Sequence, residues 1–507
     1  MEFGEYVVPQ LDWTRFIVDY EPVLDSIWLQ RWPFVLYRFT DAWLYSKEHS
    51  YLDEYTTNQT SKVKKPTPIN PNGDYGDKLF LTPIIEREKS GELIWKELAR
   101  VSNLTDVLSY SGFFTVSQEY NSNLFFWFFP AAYDAETAPV ILWLNGGPGT
   151  SSMFGLFVEN GPLMINEKGY LDYRRHSWTM THSIIYIDSP VGTGFSFTED
   201  DEGYARSQQE VANDLYQALI QFFRVFPEYV NNDFYIAGES YGGKYVPSIA
   251  YKIHLENLRK SRHTKLNLKG IMIGSGYSDP ITQNEYGDYL YNLGLIDKNQ
   301  RAIFHAEEDR IKKLIRGKKW REATDAVQNL ILGYPDRPSY FHNITDFQFY
   351  MNVLSTVTPE EYKSYANYLS EEDVRKAIHV GDQPFLRGSI KVLTHMIEDI
   401  CKSVKPDVEK LLNEDYKVLV YAPQLDIIVP HTGVDRFVQS LKWEGSNEFD
   451  KAVRGTWRVQ GEIAGYVKQA RNFKQILIRN AGHISSFDQP QWTLDMVNKF
   501  TRGLSFY

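Results

Sequence analysis

Three side chains of this sequence have the types and order needed to open an acyl bond. Ser240 lies in Gly238-Glu239-Ser240-Tyr241-Gly242, a G-x-S-x-G pattern. A serine hydroxyl is a poor nucleophile until a neighbour accepts its proton, and an imidazole, which titrates near neutrality, suits that task. His483, in Ala481-Gly482-His483, is the predicted base, and Asp426, in Gln424-Leu425-Asp426, is the carboxylate that would fix the ring tautomer and stabilise the imidazolium. His431 competes for the role of base, but it shares a loop with Asp426 and has no strand of its own before it. Residues 238–244 also satisfy the opening of a phosphate-binding loop, G-x-x-x-x-G-K. The next position there must be Ser or Thr to reach magnesium, and here it is Tyr245, so the nucleotide-binding reading is set aside.

Each of these residues needs an element to hold it. Ser240 follows a strand pattern (NDFYIA, 232–237) and precedes a helix pattern (KYVPSIAYKIH), the strand–turn–helix setting the motif requires. Asp426 follows the strand pattern YKVLVY (416–421), and His483 follows FKQILI (473–478). Further apolar runs read as strands at 123–129 (NLFFWFF), 138–144 (APVILWL), 183–187 (SIIYI) and 268–274. Apolar residues Val211, Leu215, Leu219 and Phe222 recur at helical spacing within 204–226, and Pro227 ends the pattern. Buried strands separated by helices predict a mostly parallel sheet with helices on both faces. With Ser, Asp and His in that chain order, each after a strand, the fold class is α/β, of the α/β-hydrolase type. Residues 279–367 interrupt the rhythm with charged helical patterns such as 298–319, which reads as an inserted helical cap. The core then comprises 76–278 and 368–507. Residues 1–75 read as an extension rich in aromatics (Trp13, Trp28, Trp32, Trp43), ending in a linker through Pro66, Pro68, Pro71 and Gly73.

Composition narrows the function classes. The chain has 507 residues, of which 43% are hydrophobic and 23% charged, so it can bury a large core. Its net charge of -11, with only short basic runs such as Lys62 to Lys65, argues against nucleic acid as a partner. The single cysteine, Cys401, excludes an intramolecular disulfide and a thiolate zinc site, and no H-E-x-x-H spacing suggests another metal or cofactor. The most apolar early stretch, Trp32 to Tyr37, is too short to span a bilayer. The first twenty residues carry Glu2, Glu5, Asp12, Arg15 and Asp19 and do not read as a signal peptide. Three N-x-[ST] tripeptides mark Asn58, Asn103 and Asn343 as possible glycosylation sites.

After the APVILWL strand comes Asn145-Gly146-Gly147-Pro148-Gly149-Thr150-Ser151-Ser152. Glycines let backbone N–H groups approach a ligand closely. Acyl transfer needs such donors aimed at the developing oxyanion, each contributing about 2.7–4 kcal/mol to the rate barrier. A simple Gly-Pro turn is the competing reading.

The stretches WLNGGPGTSS, GLFVENGP, YIDSPVGTGFSF, GESYGGKYVP, the QLD around Asp426 and GHISSFDQP, in this order, resemble the serine carboxypeptidase family, most of all its vitellogenic-like branch. The resemblance runs from about residue 79 to 500 and leaves the first 75 residues uncovered. It implies a peptide hydrolase that releases C-terminal residues, with Ser240, Asp426 and His483 as triad. It also implies an oxyanion hole from the N–H groups of Gly147 and Tyr241, and a site for the substrate's terminal carboxylate made by Asn145, the Gly146 N–H, Glu159 and Glu239. Two close glutamates would repel that carboxylate unless they hold protons, which predicts binding that weakens as pH rises and an acidic optimum. A secretory-pathway location, secreted or lysosomal/vacuolar, is also implied. Thr150 stands where the family usually has a cysteine, so that disulfide framework is absent. An acyltransferase on the same fold and a non-catalytic binding protein are the alternatives.

Overall fold

The computed structural model describes residues 73–87, 92–166, 168–259, 265–334 and 337–507. The expected glycosylation site Asn58 and nearly all of the aromatic extension lie outside them. Described strands, in chain order, are β1 (Tyr110–Ser117), β2 (Ser122–Phe129), β3 (Val140–Leu144), β4 (Leu163–Ile165), β5 (Leu171–Tyr173), β6 (Ser183–Ile187), β7 (Phe234–Glu239), β8 (Leu268–Gly274), β9 (Lys417–Pro423), β10 (Gly455–Val459), β11 (Glu462–Ala470) and β12 (Phe473–Ile478). Ten of them form one sheet in the order β1-β2-β6-β3-β7-β8-β9-β12-β11-β10. The six central strands, β6 to β12 in that order, run parallel, whereas β1, β2, β11 and β10 are antiparallel additions at the two edges.

The reason for burial on both faces is legible in β2. Leu124, Phe126 and Phe128 pack into one apolar cluster, and Phe125, Trp127 and Phe129 into the other. Side chains alternate across a strand, so a continuous apolar run fills two cores at once. The first cluster takes in Leu215, Leu219 and Phe222 from α1 (Gln208–Val225) and Val246, Ile249 and Ile253 from α2 (Gly242–Leu258). The second takes in Met496, Val497 and Phe500 from a helix at Pro490–Arg502. Helix α1 starts at Gln208, later than its periodicity suggests, because Ser207 is extended and its side chain accepts from the Glu210 N–H.

Between β8 and β9 the described chain forms helices and contributes no strand to the main sheet. The longest, α3 (Lys298–Arg316), opens with a reciprocal capping box between Asp297 and Gln300. A second, α4 (Trp320–Val327), continues into a π-helical turn at Gln328–Leu332. The edge strands β1 and β10, and β11 beside the latter, carry no continuous apolar run. The β10–β11 hairpin closes on Gln460 and Gly461, both with positive φ (50° and 89°), the backbone of a two-residue hairpin turn. No helix among the described residues is long and apolar enough to cross a membrane.

Candidate active site

Ser240, Asp426 and His483 all lie just beyond the C-terminal ends of parallel strands, β7, β9 and β12 respectively, where open α/β sheets collect their functional groups. Ser240 has φ +61°, a left-handed conformation that costs a non-glycine residue energy and persists only where its surroundings enforce it. Here the Ser240 N–H donates to the Gly274 carbonyl (3.0 Å), and the Ser240 carbonyl accepts from the Tyr277 and Gly243 N–H groups, both at 2.9 Å. Small flanking residues are obligatory: a Cβ on Gly238 would lie 2.6 Å from the Leu144 carbonyl oxygen, and one on Gly242 the same distance from that oxygen.

The imidazole is fixed at both ends of its loop. His483 Nδ1 lies 2.7 Å from Asp426 Oδ2, and both side chains are buried. With the Nδ1 proton on that bond, Nε2 is left as acceptor, the tautomer a general base needs. The other Asp426 oxygen, Oδ1, accepts from the Val429 N–H (2.9 Å). The His483 carbonyl accepts from the Ser275 hydroxyl (2.8 Å), and its N–H donates to the Met351 carbonyl (2.6 Å). The end of β8 therefore holds Ser240 through Gly274 and His483 through Ser275. Asp488 braces the same loop, accepting from the Gly482 N–H (2.6 Å) and from Asn352 (3.0 Å). His431 opens the helix His431–Ser440 and packs edge-on against Tyr289 at 5.4 Å. It makes none of the hydrogen bonds that hold Ser240, Asp426 and His483, and burial pushes its pKa down.

The glycine loop packs directly on the serine turn. A Cβ on Gly146 would come within 2.8 Å of the Glu239 carbonyl oxygen and 2.9 Å of Ser240 Cβ. Gly147 is exposed beside Ser240 and Tyr241 in one narrow cavity. Asp188 holds the loop from below, accepting from the Ser151 hydroxyl (2.6 Å), the Ser152 N–H (2.9 Å) and the Phe195 N–H (2.9 Å). Burial raises the Asp188 pKa to about 6, against these hydrogen bonds that favour the anion.

Next to the loop lies a buried acid pair. Asn145 Oδ1 accepts from Trp143 Nε1 (2.8 Å) and the Gly155 N–H (3.0 Å), which orients its Nδ2 to donate to Glu159 Oε1 (2.7 Å). Glu159 and Glu239 face each other, 0% and 1% exposed. Burial raises the Glu159 pKa to about 7. Burial, followed by the charge of Glu159, pushes Glu239 well above the usual carboxylate range. Oε2 of each residue receives no amide or hydroxyl donor, so a proton on Glu239 is the group that can bridge the pair. The cluster is a neutral hydrogen-bond donor at acidic pH and an anion at alkaline pH.

The structure brings Asn145, Glu159 and Glu239 together, sets Gly146 against the serine turn, and pairs Asp426 with His483. Sequence reading passed over Asp188, Ser275 and Asp488. Asp188 follows SIIYI directly, a strand-end position that could have flagged it; Ser275 and Asp488 carry no such signal. Among the described residues no cluster of His, Cys, Asp and Glu is arranged to hold a metal.

A family model described as serine carboxypeptidase matches residues 101–503. Similar chains include the venom serine carboxypeptidase of Apis mellifera, 46% identical over 441 residues, covering 87% of this chain and 94% of the relative. The probable serine carboxypeptidase CPVL of Homo sapiens is 48% identical over 440 residues, covering 85% and 91%. The vitellogenic carboxypeptidase of Aedes aegypti is 44% identical over 440 residues, covering 86% and 92%. Among solved structures, Kex1, a prohormone-processing carboxypeptidase from Saccharomyces cerevisiae, superposes with a TM-score of 0.66 at 24% identity, covering 80% of this chain and 95% of that one.

Proposed function

The chain belongs to the serine carboxypeptidase family and is a serine-type carboxypeptidase, and on that footing we propose that Ser240, Asp426 and His483 carry out its chemistry. His483 Nε2 takes the Ser240 proton as Oγ attacks the last peptide carbonyl. The oxyanion forms at the N–H groups of Gly147 and Tyr241. His483 returns the proton to the departing amine, and water then hydrolyses the acyl-serine by the same steps. Asn145, the Gly146 N–H, Glu159 and Glu239 receive the substrate's terminal carboxylate. Exclusion of longer C-terminal extensions follows, because the carboxylate site is enclosed by buried groups. The single observation that carries this reading is the 2.7 Å contact of buried His483 and Asp426 on loops braced against the strand that also anchors Ser240.

The cavity beside Ser240 is walled by Tyr277, Tyr286, Val327, Leu332, Ile400 and Ile428, among others. It is lined by Gly147 and Tyr241 and not by Glu159, so it takes the side chain of the penultimate residue and favours apolar ones. An acidic optimum follows from the Glu159–Glu239 pair. Passage through the secretory pathway is supported by the exposed positions of Asn103 and Asn343 and by the venom origin printed for one relative. A glycosidase that removes N-linked sugars should increase the mobility of protein from its native source.

The test is hydrolysis of a blocked dipeptide library by wild type and Ser240→Ala. Loss of the nucleophile should lower kcat on the order of a million-fold and abolish labelling by a serine-directed organophosphate. Residual activity near wild type would remove Ser240 from the mechanism.

A further inference from the structure

Lys244, the residue that mimicked a phosphate-loop lysine in the sequence, is buried in the first turn of α2 and faces the loop at residues 399–402. Its ammonium donates to the Asp399 carbonyl (2.9 Å) and to the Lys402 carbonyl. The Asp399 carboxylate, 3% exposed, turns the other way. Its Oδ2 accepts from the Tyr241 hydroxyl (3.1 Å) and from Gln208 Nε2 (2.7 Å), and Gln208 Nε2 also lies 3.2 Å from the Tyr241 oxygen. The Lys244 ammonium stands 5.4 Å from the centre of the Tyr241 ring. Tyr241 and Lys244 are three residues apart, on one face of a helical turn, so the loop grips that turn at two points immediately after Ser240.

Burying an ammonium and a carboxylate carries a desolvation penalty, and apolar packing of the same volume is often as stabilising or more so. What this arrangement provides is direction. The Ser240–Tyr241 peptide is planar, so the two N–H donors on the Ser240 carbonyl set the opposite bearing of the Tyr241 N–H. The Tyr241 carbonyl accepts from the Lys244 N–H (2.9 Å), and the phenol tether adds a side-chain hold on the same residue. The same loop places Ile400 in the wall of the cavity beside Ser240, and the Cys401 sulfur accepts from Thr324 Oγ1 (3.5 Å), another wall residue.

We propose that Asp399, through Tyr241 and with Gln208 and Lys244, is a positioning residue that holds the Tyr241 N–H where the developing oxyanion requires it. This rests on the assignment of that N–H to the oxyanion hole. A donor held about 1 Å off its target loses much of its value, since electrostatic stabilisation depends on preorganisation.

The experiment compares Asp399→Ala, Asp399→Asn and Tyr241→Phe with wild type on a blocked dipeptide. Two inhibitors accompany it: a peptidyl aldehyde, whose adduct with Ser240 places an oxyanion in the hole, and the released amino acid, which needs the terminal-carboxylate site alone. Asp399→Ala and Tyr241→Phe should each lower kcat roughly 30- to 100-fold, less than outright removal of a donor, with KM changed less than about threefold. Aldehyde affinity should fall by the same factor as kcat, and amino-acid inhibition should hold. Asp399→Asn, which keeps an acceptor oxygen, should recover most of the loss. Near wild-type kcat and aldehyde affinity in both Asp399→Ala and Tyr241→Phe would overturn the proposal, as would equal losses in all three readouts. A wild-type enzyme that cleaves no blocked dipeptide would instead defeat the parent reading.

Discussion

Replacing Glu159 by Gln separates the charge of the acid pair from its hydrogen bonding. The amide is neutral at every pH and still donates through Nε2. In the wild type, burial carries the Glu159 pKa from 4.5 to about 7, which corresponds to about 3 kcal/mol of differential stabilisation at about 1.36 kcal/mol per unit. Below pH 7 the pair can donate to a peptide carboxylate; above it the pair carries negative charge and repels that group. For a blocked dipeptide acid, kcat/KM should therefore fall about tenfold per pH unit above roughly pH 7, mainly through KM. The corresponding dipeptide amide, which brings no charge, should lack this limb, and Glu159→Gln should flatten it for the acid. Stability gives an independent reading with a defined sign. The folded state keeps the Glu159 proton between pH 4.5 and 7 while the unfolded chain releases it, so wild-type stability declines as pH rises through that window. The urea midpoint of Glu159→Gln relative to wild type should climb from pH 4.5 to 7 and then level off. Parallel pH profiles for acid and amide, or a retained alkaline limb in Glu159→Gln, would refute the reasoning.

Asp426→Asn should lower kcat about 10⁴-fold with little change in KM or Tm, because an amide facing His483 Nδ1 favours the wrong tautomer; stopped assays on the blocked dipeptide measure it. Gly146→Ala forces a methyl against the Glu239 carbonyl oxygen and Ser240 Cβ at 2.8 and 2.9 Å, so organophosphate labelling should be lost even in material with native circular dichroism. Val327→Arg should depress cleavage after an apolar penultimate residue at least tenfold more than cleavage after an acidic one, read from kcat/KM across the library. His182 is buried against Thr501 (2.8 Å), and burial holds its pKa down to about 3. Because the unfolded chain binds that proton more readily, stability should fall as pH drops from 6.5 towards 3, and His182→Asn should lessen the fall in thermal scans.

The sheet was legible where a strand is buried on both faces. Runs such as SIIYI and the VILWL of 140–144 coincide with β6 and β3 because unbroken apolar sequence is what a central parallel strand requires. Strands β10 and β11 were not legible, since these antiparallel additions mix polar with apolar residues (GTWRV, EIAGYVKQA) and their turn is Gln-Gly in place of the usual Asn-Gly. At the site, the serine turn, the glycine loop and the residues after β9 and β12 could be picked out because each is a local strand-and-turn signal. The braces could not. Asp188 reaches Ser151 across the fold, Ser275 reaches His483 across 208 positions and Lys244 reaches Asp399 across 155, and no periodicity encodes such pairings. Lys244 shows the hazard plainly: its local pattern suggested phosphate, and its tertiary setting is a pair of carbonyls.

The path between β8 and β9 has an evolutionary corollary. The chain departs at Gly274 and comes back at Lys417 onto the strand lying directly alongside, so the pairing of β8 with β9 does not depend on what the excursion between them contains. Thr324, Val327, Gln328 and Leu332, which line the cavity at Ser240, all belong to that excursion. Selection can therefore rewrite which peptides are admitted by changing the 320–332 stretch alone, while Ser275, Met351 and Asp399 of the same excursion stay tied to the histidine and serine loops.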